Sequence, residues 1–158
     1  MAKIPQEQEE KTAPDFFIMP LSMFRVMHEV LEGRYGEREG ASLLFQIGYN
    51  LGEVTIKNTD FSQSHTDNFI DILHLQWAEM GLGLLSIWTK PDGNLIIQNT
   101  RSSEALALGN TGVASCHFTR GYLVGIINTF TKVGYKISET RCICKGDEVC
   151  LYELVRIK

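Results

Sequence analysis

Three of the four cysteines of this chain, Cys142, Cys144 and Cys150, fall within nine residues, and Cys116 stands alone upstream. Together with Glu139 they supply sulfur and carboxylate groups suited to one tetrahedral metal ion. Zn²⁺ accepts such a mixture without a strong geometric preference of its own. The local text is C-H-F-T-R-G-Y-L-V-G-I-I, followed by S-E-T-R-C-I-C-K-G-D-E-V-C-L-Y-E-L. Cys116 lies on a predicted helix, whereas Cys142 and Cys150 flank a turn at Lys145-Gly146-Asp147. Glu139 stands where the chain enters that hairpin. A cation shared by Cys116, Glu139, Cys142 and Cys150 would tie a helix to a β-hairpin, a strong restriction on the fold. With all four positions filled by protein, such a site is structural rather than catalytic.

Two other readings of the cysteines stand beside this one. Cys142 and Cys144 are two apart and would share a face of a strand, so a four-cysteine site without Glu139 is open. Free cysteines are also often buried and inert. A pair of disulfides would require an exported chain. The segment from Met1 to Thr12 is polar and acidic, the opposite of a signal peptide's apolar core. The expected compartment is therefore the cytoplasm, where clustered cysteines point to metal or redox chemistry before disulfides.

At 158 residues the chain is read as one domain over residues 16–158, preceded by a disordered tail at 1–15 that carries Pro5 and Pro14. Its 44% apolar and 22% charged residues are those of an ordinary globular protein. A net charge of −4 with scattered basic residues gives no reason to expect a nucleic-acid partner. No apolar run reaches the roughly 18 residues of a membrane span.

Apolar spacing predicts a first helix from Ser22, with Ser22 as its cap, Phe24, Met27, Val30 and Leu31 as its inner stripe, and Gly33 or Gly36 as its end. A second helix runs over 40–57, with Leu44, Ile47, Leu51 and Val54 facing inward and Gly48 and Gly52 four apart. The segment 58–64 is a polar connection to a third helix over 65–80, whose stripe is Phe69, Ile70, Leu73 and Trp77. Strands follow on either side of the Pro91-Asp92-Gly93-Asn94 turn. Residues 102–112 form a connection with partial helical character. A fourth helical pattern covers 115–131, with Phe118, Tyr122, Ile126 and Phe130 in line, Leu123 and Ile127 beside them, and Gly121 and Gly125 open to close approach by another backbone. Strands from Tyr135 and from Cys150 close the order. Helices, hairpin, helix and hairpin make an α+β domain.

From Cys116 onward the chain resembles the 4-vinyl-reductase domain family, in which a helix bearing a cysteine is followed by a glutamate and two cysteines around a glycine-containing turn. These map onto Cys116, Glu139, Cys142 and Cys150, with Gly146 in the turn. The match covers about the last 45 residues, and Gly48-Tyr49-Asn50-Leu51-Gly52 agrees more loosely. The family includes hydrocarbon-binding proteins, the sensor domains of aromatic-responsive transcriptional activators and an accessory protein of bacteriochlorophyll synthesis. It shares its fold with nitric-oxide-signalling domains and Golgi-transport tethering subunits. The resemblance implies a structural zinc ion with Glu139 as its carboxylate ligand, a homodimer, and N-terminal helices packed on an antiparallel sheet around a pocket for a hydrophobic or aromatic ligand.

Phe45, Tyr49, His74, Trp77, Trp88, Phe118 and Tyr122 are the candidate pocket residues, because aromatic walls with single polar handles suit a selective small-molecule site. Each can equally be core packing. No phosphate loop, nucleophile elbow, zincin helix or dinucleotide fingerprint is present, so enzymatic activity is not expected. The readings weighed are therefore a ligand-binding sensor or carrier, an accessory protein handling a tetrapyrrole, and a ligand-free structural adaptor.

Overall fold

A computed structural model describes residues 19–58 and 66–157 of the chain. The tail at 1–15, the start of the domain at 16–18, the connection at 59–64 and His65 lie outside the described residues, as does the side chain of Phe69. Five helices and four strands follow one another as α1 (Ser22–Tyr35), α2 (Glu37–Asn58), α3 (Thr66–Glu79), β1 (Leu84–Thr89), β2 (Leu95–Thr100), α4 (Ser103–Leu108), α5 (His117–Thr131), β3 (Tyr135–Arg141) and β4 (Cys150–Arg156). Helices cover one face of a four-stranded antiparallel sheet of order β1-β2-β4-β3.

The start of α1 differs from the expectation. Ser22 is its first helical residue and makes no capping bond. Entry is instead a tight turn in which the N–H of Met23 donates to Pro20 O and that of Phe24 to Leu21 O. Gly36, at φ 84°, ends the helix, and Gly33 lies inside it. Of the predicted stripe Phe24 is buried, Met27 and Leu31 are half-buried, and Val30 faces outward. His28, one turn after Phe24, takes the interior place because α4 offers it a carboxylate partner.

α2 departs further. Its buried line is Gly40, Leu44, Gly48 and Gly52, while Ile47, Leu51 and Val54 are 42%, 44% and 50% exposed. The reason lies in its packing on α5. A Cβ at Gly48 would lie 2.2 Å from the carbonyl oxygen of Phe118, and one at Gly121 would lie 2.0 Å from that of Phe45. At Gly125 the corresponding distance to Tyr49 O is 2.3 Å. The two helices therefore meet backbone to backbone, and the larger apolar residues of α2 are rotated off the contact. α5 is the centre of the molecule, buried from Phe118 through Ile127.

Alternation along the strands sends Leu85, Ile97, Ile137, Tyr152 and Leu154 into the same core as Leu123 and Ile126 of α5. Fully burying one such aliphatic side chain contributes about 1.5–3 kcal/mol. In β3 the pairing slips between Glu139 and Arg141, so that Glu139 faces Tyr152 while Arg141 faces Leu151. This bulge is what the metal cluster needs. Residues three apart on a regular strand point to opposite faces, and the extra residue at Thr140 returns Glu139 and Cys142 to one side.

Candidate metal centre and ligand cavity

Cys116 occupies the position before the first turn of α5, with φ −78° and ψ 60°, rather than a place within the helix. Cys142 follows the end of β3, and Cys150 begins β4. Between them a short 3₁₀ turn, Ile143–Lys145, closes at Gly146 in the left-handed region (φ 99°). The Asp147 carboxylate accepts the Cys142 N–H at 2.8 Å, and the Ile143 N–H points at the Cys150 sulfur at 3.5 Å. The knuckle thus holds both sulfurs inward.

The three sulfurs stand 3.7 Å (Cys116–Cys142), 3.6 Å (Cys116–Cys150) and 3.9 Å (Cys142–Cys150) apart. With one Glu139 oxygen they form a set whose ligand atoms all lie within 4.8 Å of one another. Tetrahedral Zn–S bonds of about 2.3 Å would separate the sulfurs by roughly 3.8 Å, so the spacing fits that ion. Both Glu139 oxygens are buried without a hydrogen-bond partner, which is costly unless a cation completes them. Cys144 is placed differently from a strand neighbour of Cys142. It lies on the 3₁₀ turn, and its thiol points to Ala105 O at 3.7 Å.

Electrostatics follow from this crowding. Burial first, and then the adjacent sulfur of Cys142, push the Glu139 carboxyl up to about 8. Hydrogen bonds from Cys116, Cys144 and Cys150 hold the Cys142 thiol well below its ordinary value. The same contacts with Cys142 raise the thiol of Cys116, as do those with Cys116 and Cys142 for Cys150. One negative charge is thus shared by neighbours that keep their protons, and a divalent cation would displace them.

The elements that position Cys116 are themselves pinned by Glu104, a side chain that is 0% exposed. Its carboxylate accepts the N–H groups of Phe118 (3.0 Å) and Thr119 (2.7 Å), capping α5 from α4. The His28 Nε2 reaches the same carboxylate at 2.9 Å, and its Nδ1 lies 3.0 Å from Glu32. Burial disfavours charge on His28, but the bonds to Glu104 and Glu32 outweigh it and raise its pKa. The preceding Ser102 hydroxyl lies 3.8 Å from the Cys116 sulfur.

A cavity of about 530 Å³ opens beside this assembly, bounded by the start of α1, the end of α3, α4, α5 and Leu51 of α2. Phe24, Phe118 and Tyr122 form its floor, and Met19, Leu21 and Met80 its walls. Phe24 and Phe118 meet edge to face at 5.5 Å. Of the predicted pocket residues, Phe118 and Tyr122 line this space. Trp77 lies behind it, stacked on Tyr122 at 5.6 Å. The indole N–H of Trp77 and Nε2 of His74 are buried without partners, yet neither residue is in the wall. Phe45 and Tyr49 sit at the α2–α5 seam, where their backbones abut Gly121 and Gly125. Trp88 is on the opposite face of the sheet and 50% exposed, because alternation along β1 turns Leu85 inward. The methionines and Leu21 were not singled out from sequence, since they come from helix ends that carry no periodic signal.

Comparison with known proteins agrees with this architecture. The chain is 25% identical over 142 residues to the uncharacterized protein MJ0150 of Methanocaldococcus jannaschii, covering 89% of this chain and 78% of that one. The phenol-responsive sensory domain of the transcription activator PoxR, solved with phenol, superposes with a TM-score of 0.74 at 12% identity, over 88% of this chain and 75% of its own. A vinyl-4-reductase family protein from Methanocaldococcus jannaschii gives 0.65 at 18% identity, over 91% and 85% of the two chains. Residues 95–156, which include all four ligands of the cluster, match the 4-vinyl-reductase domain, and it is to this family that the chain belongs through that segment.

Proposed function

We propose that this chain is a small-molecule-binding domain, a sensor or carrier, that takes an apolar or aromatic ligand and uses zinc at Cys116, Glu139, Cys142 and Cys150 as a structural clip. The observation that carries the reading is the cavity of about 530 Å³ floored by Phe24, Phe118 and Tyr122, the size and character of a small-molecule site. It favours this reading over a ligand-free adaptor, for which a filled interior is expected. That PoxR's sensory domain, with the same fold, was solved with phenol supports it. The zinc clip fits the orphaned Glu139 oxygens and the sulfur spacing, and its service would be to fasten α5 to the β3–β4 knuckle.

The domain pairs with a second copy through the apolar outer faces of α1 and α2, where Val26, Val30, Ile47 and Val54 are each at least 42% exposed. Exposed apolar patches of this kind mark contact surfaces. Among the described residues no helix is long and apolar enough to cross a membrane.

Titration of the purified protein with phenol, toluene and decanol tests the binding role. A ligand that fits raises the melting temperature by mass action and quenches Trp77, which stacks on the cavity floor. If none of the three does either, the binding role is wrong. Native mass spectrometry on the same sample is expected to show one zinc per chain, and a metal-free protein of unchanged stability would remove the clip.

A further inference from the structure

Resting on that reading, we infer that the cavity selects by charge: it takes neutral or cationic ligands with an apolar body and rejects carboxylates and other anionic amphiphiles. Among the residues that line it, Glu79 is the sole charged one. Its carboxylate stands on the exposed rim, at the last position of α3. The carbonyl end of that helix carries partial negative charge, and its last turn has no basic residue to offset it. The neighbouring polar groups of the wall are already committed. The Ser103 hydroxyl donates to the carbonyl oxygen of Gly81, and the Tyr122 hydroxyl is within 3.2 Å of the Thr55 hydroxyl. The nearby guanidinium of Arg25, the basic group of α1 nearest in sequence to the wall, is spent on the carbonyl oxygen of Ala107.

An incoming carboxylate therefore meets an acidic side chain and a helix C-terminus with no cation to receive it. An ammonium group meets both as partners, with its hydrocarbon body against Met80, Phe118 and Tyr122. The thioethers of Met19, Met23 and Met80 are flexible and polarizable, so the wall adapts to the shape of that body. Discrimination lies in the head group.

The test is a matched series of one apolar body with three heads: phenylbutylamine, phenylbutanol and phenylbutyrate. Binding is followed by fluorescence in a Trp88→Phe background, which leaves Trp77 as the reporter, and by calorimetry on the zinc-loaded protein. The amine is expected to bind about tenfold more tightly than the butyrate, with the alcohol between them, since an exposed pair and a helix end each contribute a modest factor. Glu79→Gln should shrink that ratio to about threefold or less, as should raising salt to about 0.5 M. Equal affinities for amine and butyrate, tighter binding of the butyrate, or an unchanged ratio in Glu79→Gln would overturn the charge selection while leaving the cavity a binding site. Binding of none of the three would overturn the cavity reading and this inference with it.

Discussion

Glu104 shows how much of this molecule hangs on one carboxylate. Nothing in its sequence context, Ser-Ser-Glu-Ala-Leu-Ala, distinguishes it from a surface residue at the start of a short helix. Its partners are distant in sequence: His28 on α1, and Phe118 and Thr119 on α5. Removing it leaves a buried imidazole and two helix N–H groups without an acceptor. Glu104→Ala is therefore expected to cost about 3 kcal/mol or more in urea unfolding. His28 makes that stability pH-dependent. Its folded-state pKa is raised above 6.5 by Glu104 and Glu32 against the opposing effect of burial, so its contribution is complete below that value. The contribution is lost as the pH rises through the folded-state value. The stability gap between the native protein and His28→Gln should accordingly be wider at about pH 5.5 than at about pH 9. A gap independent of pH would show that the ring acts only by packing.

Among the elements, the α2–α5 pair is governed by what glycine omits. Gly48→Ala places a methyl group 2.2 Å from Phe118 O, a backbone atom that cannot step aside without shifting α5. Overpacking of this kind costs about 1–3 kcal/mol or more, and the gain in helix propensity of about 1 kcal/mol does not offset it. The matching control is Gly33→Ala in α1, where nothing lies within 4 Å and a gain of about 0.5–1 kcal/mol is expected. Equal effects of the two changes in thermal or urea unfolding would contradict the close contact. This pair also marks where sequence reading stops. The existence and order of the helices and strands were legible from period and turn chemistry, because Phe118, Tyr122 and Ile126, or Pro91 through Asn94, announce themselves locally. The inner face of α2 was not, since a hydrophobic pattern counts side chains and the contact there consists of their absence. The bulge at Thr140 had a signal that went unread: candidate ligands three apart on one strand require an extra residue between them. The walls of the cavity had none, as Met19, Leu21 and Met80 are brought together by tertiary packing alone.

For the whole molecule, the exposed faces of α1 and α2 set the proposed pairing of two copies. Because Ile47 and Val54 lie off the α5 contact, Ile47→Glu with Val54→Glu should preserve the fold while converting a dimer to a monomer in sedimentation equilibrium. A native protein that is monomeric throughout would discard that pairing. A separate consequence follows from the strand order. β4 is synthesised after the other three strands yet is inserted between β2 and β3. On the ribosome, both neighbours must wait with bare hydrogen-bonding edges until residues 150–156 clear the exit tunnel. Neither ligation through Cys150 nor closure of the sheet can take place during translation of anything upstream. A nascent chain stalled before that point is two disconnected ribbons, and it is there that exposure to chaperones and proteases is greatest.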